Sequence, residues 1–204
     1  MADPIDMRVV DGSLGRRIPD KGRADFLVPD SFSIKDIAAR IRALAGNNPI
    51  GRLTLVCHGF GMMAYGDMYG SQRLSLPAGA SKLVCRIYGG YGLELGKEGL
   101  DLRNVTDFAA LKGSFSPSGM IVVYGCAAAD TGPTYNEGGR TFAGDGPALM
   151  KALAAATGAS VVAAVQLQTV VQNWYLGTVD RGPFLGATHL FTPDGRQTRN
   201  LASY

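Results

Sequence analysis

The chain has no apolar run near the ~18 residues that a membrane-crossing helix needs, and its N-terminus, MADPIDMRVVDG, lacks the charged-then-apolar build of a cleaved signal. A cytoplasmic protein, or one secreted without a cleaved signal peptide, is expected, with no membrane partner. Charge of one sign is also lacking: 20 basic and 17 acidic residues give a formal net charge of +3, with no basic block along the chain. That distribution gives no reason to expect a nucleic-acid partner. Cysteine is scarce, and Cys57, Cys85 and Cys126 are too few and too scattered for a disulfide framework or a zinc site. Reduced thiols are therefore the default, and neither a metal nor a cofactor is expected. Histidine is scarcer still, with only His58 and His189. Internal repeats, heptads and low-complexity tracts are absent.

What is present fits one globular domain over residues 1–204, with its core in 33–192. The 46% hydrophobic and 18% charged content is that of a packed protein, not a disordered chain. Strand-like stretches at Met7 to Val10 and Asp25 to Val28 are expected to pair at one sheet edge. Ser33 to Ala45 is the clearest helix, with Ile34, Ile37, Ala38, Ile41 and Leu44 on one face, a Ser33/Asp36 capping box and Gly46 as its stop. Leu100 to Leu111 predicts a second helix through Leu102, Val105, Phe108, Ala109 and Leu111, and Pro147 to Thr157 a third, ended by Gly158. Further strands are expected at Lys82 to Tyr88, Ser160 to Val165, Val170 to Tyr175 and Ala187 to Phe191, with a turn at Pro193 to Gly195. The Gly/Tyr/Met-rich stretch between Gly59 and Gly92 reads as an excursion above the sheet. Its Met62, Met63, Tyr65, Met68 and Tyr69 line either a substrate groove or only the underside of a loop. Asp130 to Gly146, with its many glycines and no periodicity, predicts a mobile loop, either a lid or a plain surface insertion.

Two stretches share one design. Met120 to Tyr124 is a short, β-branched apolar run that reads as a strand buried on both faces, and it delivers Cys126 into a turn of small residues, Gly125 and Ala127 to Ala129. Such a turn leaves room around the sulfur, as a nucleophile requires. A packed cysteine is the commoner case, so Cys126 alone does not make a site. The second stretch, RLTLVCHGFG, ends an apolar strand on His58 and Gly59. A strand, helix, strand unit connects the two, so the strands are expected to run parallel and to bring His58 and Cys126 to the same edge of the sheet, where open α/β folds bind ligands.

LVCHGFG at 55–61, IVVYGCAAA at 121–129 and LAAATGASVVAA at 153–164, in that order, resemble the caspase-like cysteine peptidases, most closely their bacterial CHAT and gingipain-like branch. The resemblance spans roughly Leu53 to Val165. It implies a three-layer α/β sandwich with a mostly parallel central sheet flanked by helices, and a thiol-dependent peptidase acting on a polypeptide. By position it implies Cys126 as nucleophile, His58 as general base and acid, and the Gly59 N–H as an oxyanion donor; no third acid is required. Asp130 is a candidate contact for a basic substrate residue, against its plain reading as a solvated loop carboxylate. Two other readings stay open. HGFG after a strand also builds oxyanion holes in α/β-hydrolases, in which case Cys126 would work with His189 and Asp180 in an esterase. The glycines expected two residues either side of that nucleophile are replaced by Tyr124 and Ala128. A non-catalytic binding or structural module with the same fold is the third.

Overall fold

The structure is a computed structural model, and it describes residues 2–15, 25–62, 85–86, 92–131, 135–137, 140–142, 144–165, 170–173, 178–181, 184 and 186–200. The strands are β1 Ile5–Asp11, β2 Phe26–Val28, β3 Ile50–Val56, β4 His58–Met62, β5 Cys85–Arg86, β6 Gly92–Glu94 and β7 Phe115–Tyr124. They continue with β8 Tyr135–Glu137, β9 Arg140–Phe142, β10 Ser160–Ala164, β11 Val170–Asn173, β12 Thr178–Arg181, β13 Thr188–Phe191 and β14 Gln197–Asn200. The helices are α1 Gly12–Gly15, α2 Ile34–Ala45 and α3 Gly146–Thr157, with a 3₁₀-helix at Val105–Leu111.

Seven strands form the central sheet in the order β14-β13-β10-β7-β3-β1-β2. β2, β1, β3, β7 and β10 run parallel, and β13 and β14 add antiparallel strands at one edge. This is the mostly parallel α/β sheet that the sequence implies, and β1 and β2 pair at its edge as expected. From β1 the chain steps to β2 in one direction, then through β3, β7 and β10 in the other. Right-handed crossovers put connections of opposite direction on opposite faces. Accordingly α2, the 3₁₀-helix and α3 share one core cluster with Met7, Val9, Leu53, Leu55, Ile121, Val123 and Val161, while Val10, Val56 and Tyr124 cover the other face with Leu14 of α1 and Phe184. The reversal of direction lies between β1 and β3. Strand ends beside such a switch point open into a crevice.

α2 forms where its apolar period and its cap agree. The Ser33 hydroxyl accepts the Asp36 N–H and the Asp36 carboxylate accepts the Ser33 N–H, closing the expected box. The Ile34, Ile37 and Ile41 side chains are fully buried, each contributing about 1.5–3 kcal/mol. Leu44, placed on that inner face by sequence, is exposed, and Ala45 closes the core instead. α3 carries Pro147 in its first turn, Asp145 as its N-cap and Gly158 in a left-handed cap, with Leu149, Met150 and Leu153 buried.

The helix predicted over Leu100 to Leu111 is a correction. Only Val105–Leu111 is helical, it is a 3₁₀-helix, and its buried residues Val105, Phe108 and Leu111 recur every third position, the period of that helix. Leu102 is 52% exposed and Ala109 also faces solvent. The stretch from Asp130 to Gly146 is not a featureless loop either, since β8 and β9 pair antiparallel within it. β12 and β14 have no counterpart in the sequence reading. Met63, Tyr65, Met68 and Tyr69, the groove candidates, lie outside the described residues, as do the side chains of Met62, Cys85 and Asp180. No helix among the described residues is long and apolar enough to cross a membrane.

Candidate active site at the carboxyl edge of the sheet

β3 and β7 are direct parallel neighbours, with Val56 opposite Tyr124, and the Cys57 N–H continues the ladder by donating to the Tyr124 carbonyl at 3.2 Å. Two residues beyond Val56 stands His58, and two beyond Tyr124 stands Cys126. Both therefore leave the sheet at one edge, side by side, as the parallel reading requires. His58 is exposed and Cys126 is half-buried, so a solute can reach both.

The main chains there are in contact. A Cβ built on Gly59 would lie 1.9 Å from the Cys126 carbonyl oxygen and 3.1 Å from the Cys126 nitrogen. Only glycine permits that approach. From the other side, a Cβ on Gly125 would meet the Cys57 carbonyl oxygen at 3.4 Å and the Gly59 nitrogen at 3.5 Å. The His-Gly and Gly-Cys pairs thus interlock.

Cys126 sits on a bent turn. Ala127 has φ +47°, the left-handed region, at a non-glycine residue. Such a conformation costs about 1–3 kcal/mol and persists only where its surroundings enforce it. Here the Asp130 N–H donates to the Ala127 carbonyl, the Ala129 N–H to Ala164 at the end of β10, and the Gly146 N–H of α3 to the Asp130 carbonyl. Ala127, Ala128 and Ala129 are each 2% exposed. This corrects one expectation: the alanines are packed into the core, and they are small because β10 and α3 press on the turn.

Asp130 closes that turn through its backbone, half-buried, four residues past Cys126. His189 is not brought to Cys126. It lies on β13, in register with Ala163 of β10, which is in register with Val123 of β7. Two strand spacings, about 10 Å, therefore separate it from β7, and its Nδ1 lies 2.8 Å from Gln197 Nε2. Burial, then the Arg199 charge, lowers its pKa below the ordinary imidazole value.

Cys57 is the opposite of Cys126. It is buried in the main core cluster, and its thiol is pushed well above the ordinary value by burial first, then by the charges of Asp11, Glu94 and Cys126. Two acids that the sequence reading missed stand close to it. Asp11, 2% exposed, ends β1, and its Oδ2 accepts the Gly96 N–H at 3.0 Å. Glu94, 5% exposed, lies on β6 opposite His58 on β4. A signal for Glu94 was available: it stands alone among apolar neighbours in GLEL.

No family model matches the chain, no curated protein matches it, and no solved structure matches it.

Proposed function

We propose that the chain is a thiol-dependent peptidase that cleaves a polypeptide through a His58/Cys126 dyad. The observation that carries this reading is the interlock of Gly59 with Cys126 at the ends of neighbouring parallel strands, with His58 exposed on one strand end and Cys126 half-buried on the other. The bent turn at Ala127 supports it, because the strand gives way to a turn at Cys126 whose following residues are held by β10 and α3.

In this mechanism the His58 ring takes the proton from the Cys126 Sγ, and the thiolate forms an S–C bond to the scissile carbonyl. The Gly59 N–H steadies the oxyanion. The C–N bond then breaks as the imidazolium returns its proton to the leaving amine, and water, deprotonated by His58, hydrolyses the thioester. Asp130, at the exit of the turn, meets a basic residue of the substrate.

The test is the pH dependence of iodoacetamide alkylation at Cys126, with Cys57 and Cys85 as internal references. Alkylation of Cys126 should persist well below the free-thiol pKa of ~8.5, and His58→Ala should abolish that advantage. A peptide-library screen with Cys126→Ala as the blank then reads the substrate. If Cys126 reacts no faster than the other two thiols, the dyad is wrong and partner capture for a binding module replaces the screen.

A further inference from the structure

Glu94 is the one buried acid that the topology sets directly across from His58. β4 and β6 are antiparallel, with His58 opposite Glu94 and Gly59 opposite Leu93. Directly opposed residues project from the same face with Cβ atoms about 4.5–5.5 Å apart. Leu93 and Leu95 both enter the main core cluster, so Glu94 between them projects to the other face, the one His58 shares. A glutamate side chain is long enough to bridge that gap to an imidazole.

Three ties hold Glu94 in place. Leu93 and Leu100 exchange backbone hydrogen bonds at 2.9 and 2.8 Å, the Gly96 N–H is held by Asp11, and Glu98 accepts the Ile34 N–H at the start of α2 at 3.1 Å. Burying a carboxylate is costly, by several kcal/mol unless a cation or hydrogen bonds answer it, and Glu94 is 5% exposed. A charge retained on that face, beside a ring that must become cationic during the reaction, has a use that packing does not supply.

We propose that Glu94 is a positioning residue for His58: its carboxylate orients the imidazole toward Cys126 and favours the imidazolium form. This rests on the thiol-hydrolase reading of the site. Among the described residues, the titratable groups converging there are Asp11 from β1, Cys57 and His58 from the β3 to β4 junction, and Cys126 from the end of β7. Glu94 accepts no proton in the reaction; it lowers the free energy of the state in which His58 holds one.

The test reads the His58 ring directly, by NMR titration in the full chain carrying Cys126→Ala, which removes coupling to the thiol. Adding Glu94→Gln should lower the titration midpoint of His58 by roughly one pH unit, the low end for loss of a close opposite charge. Glu94→Asp should restore part of it, and Asp11→Asn should move it less. An unchanged midpoint in a folded Glu94→Gln protein overturns the proposal. Should that variant not fold, the Glu94 carboxyl carbon shift is followed in the Cys126→Ala protein. A shift that tracks the His58 titration supports the proposal, and one that ignores it overturns it. None of these readouts needs peptidase activity. A Glu94 effect on His58 combined with alkylation of Cys126 that ignores His58 would support the Glu94 pairing while refuting the peptidase.

Discussion

Gly59 faces the Cys126 main chain so closely that no side chain fits between them: a methyl group at Gly59 would lie 1.9 Å from the Cys126 carbonyl oxygen and 2.9 Å from its carbon. The obstacle is backbone, which cannot swing aside as a flexible side chain does. The two strand ends must part to admit even one carbon.

Gly59→Ala should therefore act on stability and on the site together. Overpacking of this kind costs about 1–3 kcal/mol, and the urea midpoint should fall accordingly. Cys126 alkylation should also lose its dependence on His58, because the ring and the sulfur have separated. A midpoint and an alkylation profile both equal to those of the parent would show that the edge has slack, and the interlock would lose its meaning.

Cys57 should resist alkylation in the folded protein and react only in denaturant. Its raised pKa also links stability to alkaline pH. Below the unfolded thiol value of ~8.5 both states keep the proton. Above it only the unfolded chain releases one, so stability should decline as pH rises, and Cys57→Ala should flatten that decline. Denaturation midpoints from pH 7.5 to 10 measure this, and equal slopes in the two proteins would refute it.

His189 contributes on the acid side, with the opposite slope. Its folded pKa is lowered by burial and by Arg199. As pH falls through about 6.5 the unfolded chain takes up a proton before the folded one does, so stability is lost from there downward. His189→Gln should shrink the loss of midpoint between pH 7 and 5. Loss of Cys126 reactivity in the same variant would instead favour the hydrolase pairing of Cys126 with His189.

Asp145 caps α3, with its Oδ1 accepting the Ala148 N–H at 2.8 Å. Asp145→Ala should cost about 1 kcal/mol in urea unfolding. The Gly146 N–H bond to Asp130 and the close contact of Gly146 with the Ala128 carbonyl should keep the turn, so Cys126 reactivity should hold. A collapse of reactivity with little loss of stability would show that the cap, and not the packing at Gly146, sets the turn.

Residues whose fate depends on near neighbours were legible in the chain. Ser33 with Asp36 and Gly46 bound α2, Pro147 and Gly158 bracket α3, and the β-branched runs before His58 and Cys126 mark two buried strands. The strand, helix, strand order placed their ends at one edge, because crossover handedness leaves little choice. Other features needed partners distant in sequence. His58 opens a strand where a loop was expected, because β6 returns from beyond residue 91 to pair with it. Glu94 stands opposite His58 only through that register, which no local pattern encodes. The spacing of Leu102, Val105, Phe108, Ala109 and Leu111 predicts a helix but not its kind, since apolar spacing alone fits either helix until packing against α2 and α3 decides the tighter one. The small residues around Cys126 predict open space when read from the sequence. In the folded chain they are small because Gly59, Ala164 and Gly146 close in on them. Local sequence determined period, caps and strand ends, where the interactions span a few residues. Which ends touch, and which residue stands opposite the histidine, was decided only when separate segments were packed into one sheet edge.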